Sequence, residues 1–290
     1  TRQYGALAGA DITALMQQFA LSTTPNKIIS DGSYLSLSSD VVFLAGEDSI
    51  HFEGVVDFLA NGTYTDSVIN FGSAVRTLIG TTVAQLDAGD SLIPFTGLLK
   101  DDVISIWNPV DFSYSGWRAD YRQGEYAVCS ADSGGSNTEI DGMLFDTYPV
   151  GTRVYKLTTD QTPKRISGKV NFVSTTYTTR ICLSINQGHN TDISDFQVTQ
   201  IDSTHTLLLL RCLNVSGTNV LAKQTVTIAG GSLIGLDYGL ILGNCQSCRI
   251  GGYFVGERHG AFTGGNADTG GAINRWNEIR GTVHTTGLGG

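Results

Sequence analysis

The chain has 290 residues, of which 41% are hydrophobic, and its formal net charge is −9. This length and apolar content are sufficient to bury a large core. The acidic balance argues against a phosphate backbone or an anionic membrane surface as a general partner. No apolar run approaches the roughly 20 residues that a membrane-spanning helix needs. The sequence therefore predicts neither nucleic-acid binding nor membrane insertion.

A short amphipathic helix is predicted near the start of the chain, in the segment ITALMQQFA. Asp11 precedes this segment and is a suitable N-cap residue. The apolar positions follow the helical spacing i, i+3, i+4 and i+7, and they are Ile12, Leu15, Met16 and Phe19. A single apolar stripe on one short helix is suited to covering the end of a β structure.

Most of the remaining chain consists of short, alternating apolar runs that are separated by Gly, Asn, Asp and Ser, which is typical of strands and turns. Three stretches share an apolar lead-in, a polar turn and a strand that ends in or near Val: residues 185–198, 209–220 and 242–255. Taking Gln187, Cys212 and Cys245 as equivalent gives offsets of 25 and 33 residues, as expected where some turns carry insertions. The pattern favours a solenoid of stacked coils, with an antiparallel sandwich as the alternative.

Residues 88–157 interrupt this rhythm. The segment contains Trp107 and Trp117, and Gly- and Ser-rich turns join its strand-like runs. We therefore predict three parts: residues 1–87 with the helix and first coils, residues 88–157 as a β-rich insertion, and residues 158–290 with the main coils.

The five cysteines are scattered and odd in number, which does not indicate a disulfide framework. Cys245 and Cys248 form a CxxC motif, but a zinc site would need a second pair of ligands at suitable spacing, and the sequence shows none. We predict buried free thiols, and neither a metal nor a cofactor.

Glu257, Arg258 and His259 are adjacent within YFVGERHGAFTGG, although only 16% of the residues in the chain are charged. At an exposed turn, Glu257 is a candidate general acid or base, and His259 is a candidate base near neutral pH. The alternative is that Arg258 pairs with a nearby acid and His259 caps turn carbonyls. The flanking glycines indicate a demanding backbone turn under both interpretations.

Several motifs occur in order along the chain. YGALAGADITALMQQF is followed by a DGSY element, the insertion contains GDSLIPF, KDDVISIW, YRQGEY and TYPVGTRVYKL, and ERHGAFTGG comes later. Together these motifs resemble those of phage tailspike proteins, although SDGSY replaces the proline-containing form that is usual in that family.

The resemblance implies an all-β chain, namely a right-handed parallel β-helix with a short N-terminal capping helix and a small β-rich insertion. It implies a homotrimer on the phage tail, in contact with other tail proteins and acting at the bacterial surface. Such proteins bind, and usually depolymerise, the capsule or O-antigen of a Gram-negative host. The later coils of the family, where catalytic groups often lie, are expected beyond residue 290.

Two carboxylates would serve a glycosidase, and Asp237 lies 20 residues before Glu257, about one short coil away. Asp237 is therefore a further catalytic candidate, with a solvated turn carboxylate as the alternative. For β-elimination, Arg258 would neutralise a uronate carboxylate. The residues predicted to contact sugar are Tyr238, Tyr253, Trp276 and Arg280.

Other polar residues are expected to have structural roles. The motif DYRQGEY is predicted to form a structural Arg–Glu pair or an intersubunit contact through Tyr121, Arg122 and Glu125. His189 and His205 are expected in turns.

The leading functional hypothesis is binding and depolymerisation of a bacterial surface polysaccharide, by hydrolysis or by β-elimination. The first alternative is a non-catalytic adhesin or structural tail appendage that only binds the glycan. A pectate-lyase-like enzyme with Ca²⁺ held by clustered Asp ranks last, because the sequence shows no dense Asp cluster.

Overall fold

The computed structural model of the chain describes residues 11–44, 48–60, 62–64, 67–111, 122–174, 181–201, 205–225, 238–256, 258–264 and 274–285. Its first part contains α1 (Thr13–Ala20), β1 (Asn26–Leu37), β2 (Val41–Phe43), β3 (Ser49–Ala60) and β4 (Ile69–Phe71).

The predicted amphipathic helix is confirmed as α1. Its apolar stripe lies against the core, with Ile12 and Met16 buried and Phe19 packed beside them. The carboxylate of Asp11 accepts the backbone N–H of Thr13 at 2.9 Å, whereas the residue at the N-cap position itself is Ile12. Asp11 therefore accepts a hydrogen bond from the first turn of the helix, but it lies one residue before the N-cap position at which it was predicted.

The middle of the chain forms a separate antiparallel unit, here called the insertion. Its strands are β5 (Arg76–Thr81), β6 (Leu92–Ile93), β7 (Val103–Asp111), β8 (Arg122–Val128), β9 (Thr138–Glu139) and β10 (Arg153–Leu157). Four of them form one sheet in the order β5-β10-β7-β8, and β6 pairs with β9. The insertion has its own apolar core, which includes Ile93, Ile106 and Val154. Strand β5 belongs to this sheet although it precedes residue 88, where the insertion was predicted to begin.

The rest of the chain returns to a parallel arrangement. Its strands are β11 (Arg165–Ser174), β12 (Leu183–Asn186), β13 (Phe196–Ile201), β14 (His205–Leu210), β15 (Ser216–Thr225), β16 (Tyr238–Gly243), β17 (Arg249–Gly256), β18 (His259–Gly264) and β19 (Glu278–Thr285). Sheet A has the order β1-β3-β11-β13-β15-β17-β19, and sheet B has the order β18-β16-β14-β12-β4-β2.

Strands alternate between the two parallel sheets along the chain, so that each coil contributes one strand to each sheet. This is the architecture of a parallel β-helix, and the prediction of a solenoid over a sandwich is confirmed. Strand β11 pairs directly with β3, so the insertion leaves the stack of coils uninterrupted. Inside the coils, equivalent aromatic residues lie on one another, as in the stacked pair Phe58 and Phe172, whose ring centroids are 5.7 Å apart.

The paths from β12, β14, β16 and β18 of sheet B to the next strand of sheet A each contain what we call the tight turn, at residues 187–192, 211–216, 244–249 and 274–278. In this turn His189 pairs with Leu213, and Leu213 pairs with Gln246, which gives offsets of 24 and 33 residues. Gly188, not Gln187, is therefore equivalent to Cys212 and Cys245. The predicted alignment is wrong by one residue because the turn repeats a backbone conformation, not a residue type.

The cysteines are free and buried, as predicted. Three of them lie in the tight turns, and the thiol of Cys245 donates to the carbonyl oxygen of Leu209 at 3.3 Å. Burial raises the pKa of the Cys245 thiol well above its ordinary value. A thiol of this kind packs as a small apolar group and is a poor nucleophile and metal ligand.

Candidate functional site

A ladder of ring side chains follows the corner where sheet A passes into sheet B. The parallel register places Tyr238 beside His205 on one coil and beside His259 on the next. The ring centroid of Tyr238 is 5.1 Å from that of His205 and 5.5 Å from that of His259. The spacing follows from the separation of neighbouring parallel strands, about 4.8 Å, which brings equivalent side chains into contact.

Two further side chains, those of Phe262 and Arg258, lie beside this ladder. The ring of Phe262 lies 5.5 Å from Tyr238 and 5.8 Å from His259, measured between centroids. The guanidinium carbon of Arg258 lies 5.9 Å from the centroid of Tyr238. Arg258, His259 and Phe262 are exposed, and His205 and Tyr238 are half-buried. We call these five residues the corner cluster.

Glycines on both sides of His259 allow the backbones of successive coils to approach closely at this corner. A Cβ atom at Gly256 would lie 2.2 Å from the carbonyl oxygen of His259. A Cβ atom at Gly260 would lie 2.5 Å from the carbonyl oxygen of His284. Any side chain at either position would collide with backbone, so the glycines fix the shape of the corner that carries the cluster.

The other two predicted catalytic residues, Glu257 and Asp237, lie outside the described residues. Each is adjacent in sequence to a member of the corner cluster, Arg258 or Tyr238. The described members supply aromatic faces, a permanent positive charge and two imidazole rings. The chemistry of such a surface is complementary to a ring with apolar C–H faces and hydroxyl or carboxylate substituents.

Two predicted sugar-contacting residues lie elsewhere, on the outer face of sheet A. Tyr253 is on β17, and its ring centroid is 5.4 Å from that of His284. Arg280 is on β19, and its Nε donates to Oε1 of Glu278 at 2.6 Å, which offsets part of its charge. These residues are exposed and form a second polar and aromatic surface.

Trp276 occupies a third location, in the tight turn at the opposite end of sheet B from the corner cluster. Its ring lies 4.1 Å from that of Phe145, between centroids, in an edge-to-face arrangement. Phe145 belongs to the insertion. The predicted sugar-contacting residues are therefore spread over three surfaces of the coil stack.

The motif DYRQGEY was predicted to form a structural Arg–Glu pair or an intersubunit contact, and in the structure the carboxylate of Glu125 is buried. Glu125 is 1% exposed and accepts the backbone N–H of Phe145 at 3.1 Å and that of Asp146 at 3.4 Å. Burial raises the pKa of Glu125, while these hydrogen bonds and the charge of Arg275 oppose the increase. Arg122 pairs through its backbone with Asp111 on β7, and Tyr121 lies outside the described residues.

Two members of the corner cluster, His205 and Phe262, were not identified as candidate site residues from the sequence. His205 was expected in a turn, but it is the first residue of β14, so that prediction is wrong. Phe262 gave no signal beyond its apolar character. Their proximity to Tyr238 depends on the register between coils, which the sequence does not reveal because stretches of unequal length separate the three residues. His189 does lie in the tight turn, and burial lowers its pKa.

Among the described residues, no group of three or more His, Cys, Asp or Glu side chains is arranged to hold a metal ion. Within the same ranges, no helix combines the length and hydrophobicity that a membrane crossing requires.

The fold is similar to those of solved phage tailspikes. The tailspike Gp54 of Acinetobacter baumannii bacteriophage AP22, solved in complex with A. baumannii capsular saccharide, is 20% identical with a TM-score of 0.77, and the match covers 94% of this chain and 44% of that chain. The tailspike gp49 of Pseudomonas phage LKA1 is 25% identical with a TM-score of 0.72, over 91% of this chain and 43% of that one. The tailspike gp61 of Pseudomonas phage phi297 is 19% identical with a TM-score of 0.63, over 92% and 44%.

These similarities confirm the resemblance to tailspikes that the motifs indicated. The chain spans less than half of the length of each of these three proteins. No protein-family model matches the chain, and no curated protein sequence matches it.

Proposed function

We propose that this chain is part of a phage tailspike that binds a bacterial surface polysaccharide and depolymerises it. The observation that carries the proposal is the corner cluster, a row of stacked rings beside a guanidinium on a rigid stack of coils. The fold supports it, since a tailspike of the same architecture was solved with capsular saccharide bound. The wider assembly that we propose is a homotrimer on the phage tail, attached to other tail proteins.

The chemistry of the corner cluster suits a polymer of sugars. The half-buried ring of Tyr238 and the exposed ring of Phe262 can stack on the apolar face of a pyranose. Arg258 can donate to hydroxyl groups, or neutralise a carboxylate if the glycan contains uronic acid. Successive coils repeat such positions along a rigid surface, so several weak contacts can act on one chain of the polymer.

For catalysis, we propose His259 and Glu257 as the base and the acid, with Arg258 stabilising negative charge that develops on the substrate. Asp237 is the second carboxylate in a hydrolytic mechanism. Both hydrolysis and β-elimination are consistent with this set.

A non-catalytic adhesin is the second candidate. The described side chains of the corner cluster are aromatic or basic, and these are sufficient for binding. A hydrolase additionally requires the carboxylates of Glu257 and Asp237 to converge on the same surface.

The test exposes the purified protein to a panel of capsular and O-antigen polysaccharides and follows binding, chain length, reducing ends and ultraviolet absorbance. Shortening with rising absorbance indicates β-elimination, and shortening without it indicates hydrolysis. Binding without shortening favours the adhesin. Absence of binding to every polymer contradicts the proposal.

Variants connect the activity to the corner cluster. Tyr238→Ala and His259→Ala should each weaken binding or depolymerisation about tenfold, the loss expected for one well-placed ring contact. His51→Ala is the matched control, because His51 is an exposed histidine on sheet A that contacts Ser167. Equal losses in all three variants would contradict the assignment of the site.

A further inference from the structure

Trp276 stands in a backbone position that disfavours a large side chain. The equivalent tight-turn residues of the earlier coils are Asn190, Asn214 and Ser247, and all four residues have positive φ, between 51° and 56°. Asn adopts this left-handed conformation at little cost, whereas a bulky residue there is an outlier that often marks a functional position. A Trp at this position of the tight turn therefore has a conformational cost, which some favourable contact or functional role of its side chain must offset.

The column of residues that contains Trp276 points outwards. Asn190 and Asn214 are exposed although coils lie on both sides of them, and Trp276 is 52% exposed. Its large ring is thus presented to solvent, where it contributes little to the core. A stabilising role inside the coil stack does not account for it.

The insertion supplies a second aromatic ring at the same place. Phe145 is 50% exposed, and its ring lies edge-to-face with that of Trp276 at an interplanar angle of 74°. Beneath them, Arg275 forms an ion pair with Asp146, and its guanidinium carbon is 5.3 Å from the centroid of the indole. Two exposed apolar faces thus lie beside the partly exposed carboxylate of Asp146, with the side chain of Arg275 largely buried beneath them.

The surroundings fix Phe145 in this position. The buried carboxylate of Glu125 accepts the backbone N–H of Phe145. The insertion itself is attached to the coils through Gln246, whose side-chain amide accepts the N–H of Tyr126 and donates to its carbonyl oxygen, each at 2.9 Å. The hydroxyl of Tyr126 also donates to the carbonyl oxygen of Asn244 at 2.8 Å. The two rings therefore belong to one rigid surface, although they come from different parts of the chain.

We propose that Trp276 and Phe145 form a sugar-binding subsite at the seam between the insertion and the coils. A pyranose ring stacks on the two aromatic rings, and its hydroxyl groups bond to the carboxylate of Asp146, which Arg275 holds in place. The seam subsite rests on the proposed binding of a surface polysaccharide. It is separated from the corner cluster by the length of a sheet B strand, about 20 Å, so it contacts a different sugar unit. The insertion is thus part of the glycan-binding surface.

The test uses whichever capsular or O-antigen polysaccharide of the panel the wild-type protein binds. Trp276→Ala and Phe145→Ala should each weaken affinity for it about tenfold, and the double variant should lose less than the product of the two, because the rings share one ligand. Trp276→Tyr, which keeps an aromatic face, should restore most of the affinity. The control is Val150→Ala, at an apolar residue of the insertion that is 62% exposed.

The outcomes separate this inference from the proposed function. Wild-type affinity in both seam variants, combined with a loss in Tyr238→Ala, overturns the seam subsite and leaves the proposed function intact. If the wild-type protein binds no polymer, both fail. A change of oligomeric state in the seam variants, measured by light scattering, would mean that a second copy of the chain covers these rings, and this would also overturn the inference.

Discussion

The carboxylate of Glu125 is buried between the insertion and the coils, where Tyr148, Asp146 and Arg275 surround it. Burial raises its pKa above the ordinary value of 4.5, and the native state therefore holds a proton more tightly than the unfolded chain does. The stability that this proton provides is complete below the ordinary pKa and is lost as the pH rises through the raised pKa.

We predict that Glu125→Gln removes this contribution. Relative to the variant, the wild-type protein should gain free energy of unfolding when the pH falls from about 7 to about 4, below the ordinary pKa. Urea unfolding at both pH values measures the difference. Glu139→Gln, at an exposed carboxylate of the same insertion, is the control. An unchanged slope in Glu125→Gln would contradict the effect of burial.

The thiols provide a second prediction about single residues. Burial raises the pKa of Cys129 to about 11 and that of Cys245 well above its ordinary value, so both stay protonated at neutral pH. Because the thiolate is the reactive species, the native protein should resist alkylation at about pH 8 and react fully once unfolded. Mass spectrometry counts the modified thiols. Val83→Cys, at a position 89% exposed, should add one rapidly reacting thiol.

The attachment of strand β8 to the coils depends on the side chain of Gln246. Gln246→Ala removes both hydrogen bonds to the buried backbone of Tyr126, and each bond lost there costs about 1–3 kcal/mol. We expect a loss of about 2–4 kcal/mol in the free energy of unfolding, measured with urea. Gln85→Ala is the control, since Gln85 is exposed and its side chain bonds to nearby Asp87 within the insertion. A loss below about 0.5 kcal/mol in Gln246→Ala would contradict this account.

The stack of coils is stabilised by contacts between neighbouring rungs, and this property belongs to the whole molecule. Phe172 is 1% exposed in the middle of the stack, where β11 lies between β3 and β13. Phe172→Ala should therefore lower the free energy of unfolding by about 3–5 kcal/mol, the usual cost of removing a buried phenyl ring. Calorimetry or urea unfolding measures it, with Val83→Ala as the exposed control. A loss smaller than about 1 kcal/mol would indicate that the rung collapses around the cavity.

The sequence by itself determined the local structure of this protein. Helical spacing of apolar residues identified α1, and short alternating runs with frequent turns identified the coils and the insertion, because periodicity reflects which side of a helix or strand is buried. Burial of the cysteines followed from their apolar character. The order of the motifs was sufficient to indicate a tailspike-like β-helix.

Only the tertiary structure decided which residues meet. The stacking of His205, Tyr238 and His259 requires the register between coils, and stretches of unequal length separate these residues in the sequence. The contact between Phe145 and Trp276 joins the insertion to a coil far along the chain. Contacts of this kind arise from the packing of one unit on another, and no local pattern of residues encodes them.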